Sequence, residues 1–251
     1  MRSLRPSAPL LLAAALAASL HPVLRAADWP QWRGPNRDGV WREDGIRAAL
    51  PPGGIAPAWR VTVGGGYGGP AVAGGRVYLM DYVTDGVVAN DPSQRTELSG
   101  KERVLCLDAA TGKTLWTFAY DCPYAISYAC GPRCTPTVVE GKIYCLGAEG
   151  HLHCLDADGT LLWKRHFPTE YATQTPIWGY AGHPLVEGDL VICMVGGAGS
   201  AAVAFDRHTG KEVWRSLTAS EPGYAPPSIL EQAGARRILT WDADTIAALD
   251  P

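Results

Sequence analysis

An internal repeat constrains this chain more than any other feature. From Leu107 it reads LDAATGKTLW to Trp116, from Phe205 FDRHTGKEVW to Trp214, and from Leu155 a shorter LDADGTLLW to Trp163. With Trp59 included, these tryptophans fall at intervals of 57, 47 and 51 residues, about the length of one four-stranded propeller blade. The longest interval holds a polar insertion, roughly Thr84 to Arg103.

Each interval repeats the plan strand, Gly turn, strand, loop, strand, Asp-containing turn, strand. The second copy predicts strands at Thr137 to Val139, Lys142 to Leu146, His151 to Leu155 and Leu161 to Arg165, separated by turns at Glu140–Gly141, Gly150 and Asp156. Short β-branched and aromatic runs bounded by Gly and Asp suit antiparallel strands with tight turns. In those turns Gly112 and Gly210 supply a positive φ, and Asp108 and Asp206 accept nearby backbone N–H bonds. Trp116, Trp163 and Trp214 are suited to packing between adjacent blades. These roles are structural. The expected fold class is therefore all-β, a β-propeller of four-stranded antiparallel blades.

The A-x-D-x-x-T-G-x-x-x-W turn, with its tryptophan, resembles the pyrroloquinoline-quinone-type (PQQ-type) propeller repeat from about Trp59 to Pro251. The related families are quinoprotein alcohol dehydrogenases, the periplasmic propeller lipoprotein of outer-membrane protein assembly, and exported bacterial propellers of undetermined role. The opening DWPQWRGPNRDG, Asp28 to Gly39, resembles the start of the last group, planctomycete-like members especially. The resemblance implies seven or eight blades in a closed ring. Against that count the chain is expected to be an incomplete ring: an outer strand at Ala58 to Val63 containing Trp59, three full blades, and a partial copy from Ser228. Such an arc exposes unpaired edges.

Arg2 and Arg5, an apolar stretch from Leu10 to Leu20 and small residues at Ala26 and Ala27 have the form of a secretory signal. The expected organisation is a signal peptide at 1–26, an N-terminal extension at 27–57 and the propeller at 58–251, in a periplasmic or secreted protein. The apolar stretch is shorter than the ~20 residues a membrane span needs, and no other segment qualifies. The formal net charge of −3 falls to about −6 once Arg2, Arg5 and Arg25 are removed, which argues against a nucleic-acid partner.

Propeller ligands gather at the channel mouth, shaped by the loops that lead into each innermost strand. Here those loops are alike: GGGYGGP, YACGPRCTP, WGYAGHP and GYAPP. They place Tyr67, Tyr128, Trp178, Tyr180 and Tyr224 where they could ring one mouth, with Arg133 and His183 as polar additions. Two readings stand side by side. The tyrosines pack loop against loop, or they line a site for an apolar, sugar-like or quinone-like ligand or a peptide loop.

Function divides the same way. The leading expectation is a non-catalytic binding or scaffolding propeller with an unknown small-molecule or protein partner, no catalytic residue, no cofactor and no metal. The alternative is the N-terminal half of a PQQ-dependent quinoprotein dehydrogenase using PQQ with calcium. The resemblance implies an adjacent Cys-Cys pair for such enzymes, and none of the seven cysteines adjoins another. Cys106, Cys145, Cys154 and Cys193 read as small buried hydrophobes within strands. Cys122, Cys130 and Cys134 share a loop whose spacing favours a disulfide over a zinc site. His151 and His153 share a strand face without an evident third metal ligand. Gly196 to Ser200 reads as a hairpin turn rather than a phosphate cradle. Trp29 and Trp32 with Arg33 are expected to pin the N-terminal segment to the propeller.

Overall fold

Seventeen strands and one short helix account for the regular structure in a computed structural model that describes residues 26–45, 49–88 and 91–251. The expected signal segment lies outside the described residues up to Arg25. The first blade is built from β1 (Ala71–Ala73), β2 (Arg76–Val83), β4 (Lys101–Asp108) and β5 (Thr114–Asp121). The second has β7 (Thr137–Val139), β8 (Lys142–Leu146), β9 (His151–Leu155) and β10 (Leu161–His166). The third has β11 (Leu185–Glu187), β12 (Leu190–Met194), β13 (Ala202–Asp206) and β14 (Glu212–Ser216). A three-stranded fourth sheet follows, β15 (Ser228–Gln232), β16 (Ala235–Trp241) and β17 (Ile246–Leu249). Every pairing is antiparallel, and the blades form an arc rather than a closed ring.

Strand position within a blade follows residue type. The middle strands KIYCL, HLHCL, LVICM and AVAFD are nearly continuous apolar runs, buried on both faces between neighbouring blades. The outer strand β5 alternates instead, with Trp116, Phe118 and Tyr120 inward and Thr117, Ala119 and Asp121 in solvent. β1, β7 and β11 pack side by side, so they form the innermost layer around the channel.

Each outer hairpin carries a bulge at the same place. The register slips between Cys106 and Leu107, between Leu161 and Trp163, and between Ala204 and Phe205. The unmatched residues Leu115, Leu162 and Val213 are exposed. By adding one residue the bulge turns the following tryptophan toward the next blade. There Trp59, Trp116 and Trp163 donate their indole N–H to Ala109 O (3.0 Å), Ala157 O (2.9 Å) and Arg207 O (3.1 Å). Each acceptor directly follows the turn aspartate of the receiving blade. The indoles lie on Gly112, Gly159 and Gly210, where an added Cβ would come within 2.6–2.7 Å of the ring. Asp108 accepts from Thr111 N (2.8 Å) and Oγ1 (2.6 Å), and Asp206 from Thr209 N and Oγ1 (both 2.7 Å). These bonds hold both carboxyls below their usual range.

Two expectations need correction, that of an outer strand at Ala58 to Val63 and that of a disulfide among Cys122, Cys130 and Cys134. Ala58 to Val63 forms no strand; the segment lies exposed while Trp59 alone docks on the first blade, because no strand among the described residues offers it a ladder. Within the polar insertion, β3 (Thr96–Leu98) pairs β6 (Tyr124–Ile126), and Leu98 is buried beside Tyr82 and Tyr124. Cys122, Cys130 and Cys134 are free thiols, as are the other four. Cys122 Sγ sits 3.8 Å from His151 Nδ1 and Cys134 Sγ 3.8 Å from Tyr180 O, so the folded loop directs them at different neighbours. A short helix, α1 (Phe167–Tyr171), also follows β10 and buries Phe167.

Buried polar groups concentrate at the seam of the first two blades. Glu102 is fully buried and accepts from Tyr124 Oη (2.5 Å), Ala148 N (2.8 Å) and Tyr120 Oη. Burial raises its pKa against those donors. His153 packs on Tyr120 (4.3 Å between ring centroids) and Phe118 (5.3 Å), with Nδ1 buried and unpartnered, while His151 stacks on His166 at 4.1 Å. The paired imidazoles are thus packing elements, and no group of three metal-ligating side chains forms among the described residues. Desolvation lowers His151 to about 4 and His153 to about 3.

Gly188 and Gly210 both have positive φ, but only Gly210 faces an indole. Gly188→Ala should cost about 1 kcal/mol from backbone strain and Gly210→Ala about 2–4 kcal/mol, because Trp163 must also shift; denaturant melts compare them. Imidazoles buried neutral stabilise the fold above their ordinary pKa, and that contribution is lost as pH falls from about 6.5 toward 4 for His151 and toward 3 for His153. Melting temperature should drop across this window, and less steeply in His153→Phe, which keeps the ring packing and cannot be protonated.

Candidate functional site

The loops leading into the innermost strands meet at one end of the arc, and backbone bonds tie the first to the second and the second to the third. Tyr67 N and Gly68 N both donate to Pro132 O (2.8 and 3.1 Å), and Ser127 N donates to Ile177 O (2.7 Å). The approach is close: a Cβ on Gly65 would stand 2.0 Å from Cys130 O, so the first loop requires glycine there. Loop-to-loop packing is therefore part of what these sequences do.

They also leave a hollow. Tyr67, Tyr128, Arg133, Trp178, Ala181 and Tyr224 line a pocket of about 350 Å³. Trp178 is tilted 33° to Tyr224 at 5.1 Å and 58° to Tyr128 at 6.5 Å. Its indole N–H is held by Pro92 O (3.1 Å). Tyr67 and Trp178 remain 50% and 44% exposed, a large apolar area to leave in water.

Arg133 lies in this pocket, yet its polar atoms are engaged elsewhere. Nε donates to Trp178 O (2.7 Å), Nη2 to Ser127 O (2.9 Å) and Tyr128 O (2.8 Å), and Nη1 to Gly131 O. The guanidinium stands 5.2 Å over the Tyr67 ring, and burial lowers its pKa. It clamps the loop and presents a cation–π face rather than free donors. Tyr180 does not reach the mouth: it is buried in the core, with its hydroxyl donating to Val195 O (3.2 Å). His183 is also buried, and its Nδ1 accepts from Thr135 N (2.9 Å).

The N-terminal segment contributes more than its sequence suggested. Trp29 pairs with Val72 on the free inner edge of β1, and Val138 N at the inner edge of β7 donates to Pro30 O (2.8 Å). Further on, Arg37 donates to Pro184 O (3.2 Å), His183 O (3.4 Å) and Pro227 O (3.1 Å), reaching the starts of β11 and β15. Residues 29–37 therefore form a strap along the channel side of all four sheets. Trp32 stacks on His183 at 5.1 Å and 15°, with the guanidinium carbons of Arg33 and Arg37 at 5.3 and 5.4 Å from its ring centroid. Desolvation, with Arg37 adding to it, lowers His183 to about 4. The density of Trp and Arg in DWPQWRGPNR marked the segment for docking; its path across inner strands distant in sequence could not be read.

The family model described as outer membrane protein assembly factor BamB matches residues 100–250, more than half of the chain. No curated protein matches. Among solved structures, a europium-containing methanol dehydrogenase is 23% identical with a TM-score of 0.40, over 61% of this chain and 25% of that one. BamB from Moraxella catarrhalis is 18% identical with a TM-score of 0.38, over 65% of this chain and 50% of that one. Quinohemoprotein alcohol dehydrogenase from Comamonas testosteroni is 16% identical with a TM-score of 0.42, over 90% of this chain and 48% of that one. The chain spans a quarter to a half of the length of these proteins. No helix among the described residues is long and apolar enough to cross a membrane. The matched region takes in the three tryptophan-bearing turns and the sheets around them, and the chain belongs to the PQQ-type propeller family described as outer membrane protein assembly factor BamB.

Proposed function

We propose that this protein is an exported, non-catalytic binding propeller that uses its channel-mouth face to hold a ligand or a protein partner, and that it acts in the periplasm or outside the cell after removal of an N-terminal signal near Ala26. The observation that carries the reading is the group of aromatic side chains around the mouth pocket, with Tyr67 and Trp178 half-exposed over loops cross-tied by backbone bonds. Rigid aromatic surface on a fixed scaffold loses little conformational entropy on binding. The family match to a protein described by its assembly role fits a protein partner.

A quinone cofactor fits these residues less well. The mouth rings stand at 33° and 58° rather than parallel, so they make no slot for a flat ring system. Four of the five N–H groups of Arg133 are committed to backbone carbonyls, so it has no free pair of donors to grip a carboxylate of PQQ bidentately. No carboxylate lines the pocket to hold calcium beside it.

A photo-crosslinking residue at Tyr67, in the protein expressed in its native envelope, should yield a discrete adduct. The same residue at Val213, exposed on outer strand β14, should yield none. Equal crosslinking at both positions, or none at either, would contradict a binding face at the mouth.

A further inference from the structure

The strap creates a second hollow beside the aromatic mouth. This cavity, of about 540 Å³, is lined by Trp29, Trp32 and Arg33 from the strap, and by Tyr67, Thr135 and Arg133 among the propeller residues. The two hollows meet at Tyr67 and Arg133, which belong to both. We propose that together they form a binding trough for a neutral oligosaccharide. The inference rests on reading the mouth as a binding face and specifies what that face binds.

The chemistry of the lining carries the assignment. A sugar ring has two characters: a C–H face that is apolar and a rim of hydroxyls that both donate and accept. It needs aromatic platforms with hydrogen-bonding groups at their margins. The platforms are Tyr67, which lines both hollows, and Trp178, which lines the mouth; both rings are about half-exposed. At their margins, the Trp29 and Trp32 indole N–H groups, the Thr135 hydroxyl and the Tyr67 hydroxyl make no hydrogen bond among the described residues, and the first three are not sealed from solvent. They are donors and acceptors without a charge.

Charge narrows the class further. No Asp or Glu lines either hollow, so a cationic ligand finds no partner. The nitrogens of Arg133 are occupied by backbone carbonyls, and Arg33 stacks on Trp32 while donating through Nη2 to Asp38 O (2.9 Å). A polyanion would therefore meet a single rim guanidinium, too little to offset desolvation of several carboxylates or phosphates. Tilted rings also suit a chain of puckered units better than one flat system, since successive sugars can rest on successive platforms.

The test is calorimetric titration of the purified protein with neutral oligosaccharides of hexoses and N-acetylhexosamines, beside their sulfated or carboxylated counterparts, with tryptophan fluorescence followed in parallel. The expected result is saturable binding of a neutral class with a change in fluorescence. Tyr67→Ala and Trp178→Ala should each weaken it about tenfold or more while the protein still unfolds in one cooperative transition, and Leu115→Ser on the outer strand should leave it intact. Binding of acidic sugars alone, abolished by salt, would overturn the proposal in favour of charge recognition. No binding of any sugar at millimolar concentration would also overturn it. In that case a discrete adduct at Tyr67 would show that the mouth still binds something else, whereas its absence would remove both readings.

Discussion

A tryptophan placed on the turn of the next blade sets the geometry on which everything else here depends. The indole N–H of Trp116 bonds to Ala157 O, and the ring covers Gly159 so closely that a Cβ there would stand 2.7 Å from it and force the indole to move. The same contact recurs from Trp59 to the first blade and from Trp163 to the third. Hydrogen bond, ring contact and bulge act together, and the angle between neighbouring sheets is fixed where a purely apolar seam would permit sliding. At Trp214 the pattern changes: its indole nitrogen is buried without an acceptor among the described residues, at the seam with the three-stranded sheet.

Because the blades keep a common rotation, their inner strands converge and their entrance loops crowd together. That crowding explains both the glycines of GGGYGGP and the use of Arg133 as a clamp on four carbonyl groups. It also leaves free strand edges facing the channel. The strap from Trp29 to Arg37 satisfies part of that edge, with Val72 and Val138 bonded to it. In doing so it brings Trp32 onto His183 and gives the mouth a second wall. An N-terminal segment that only decorated the surface would leave those amides to water.

Local pattern made much of this legible. The second copy's strands agree with β7 to β10 to within one residue, because each is a short apolar run closed by Gly or Asp, and local chemistry suffices to set such bounds. The convergence of Tyr67, Tyr128, Trp178 and Tyr224 followed from the likeness of their loops once a radial arrangement was assumed. What escaped depends on contacts between residues distant in sequence. Ala58 to Val63 has strand-like composition but no ladder, and Tyr180 looks like its mouth neighbours until Phe167 from α1 packs edge-on against it at 5.4 Å. Arg133 reads as a ligand-facing cation, and only the fold shows its nitrogens turned onto the loop's own carbonyls. The spacing of Cys122, Cys130 and Cys134 suggested a disulfide, whereas their side-chain directions are set by separate packing environments.

The N-terminal strap lies on the inner strands and builds the candidate site with them. Amide hydrogen exchange of Val72 and Val138 tests it directly, since their N–H groups bond to Trp29 O (2.9 Å) and Pro30 O (2.8 Å) and would otherwise face the channel. The account predicts protection of both amides approaching that of Val203 in the middle of the third blade. Exchange as fast as that of the turn amide of Gly188 would place the strap elsewhere and remove one wall of the site.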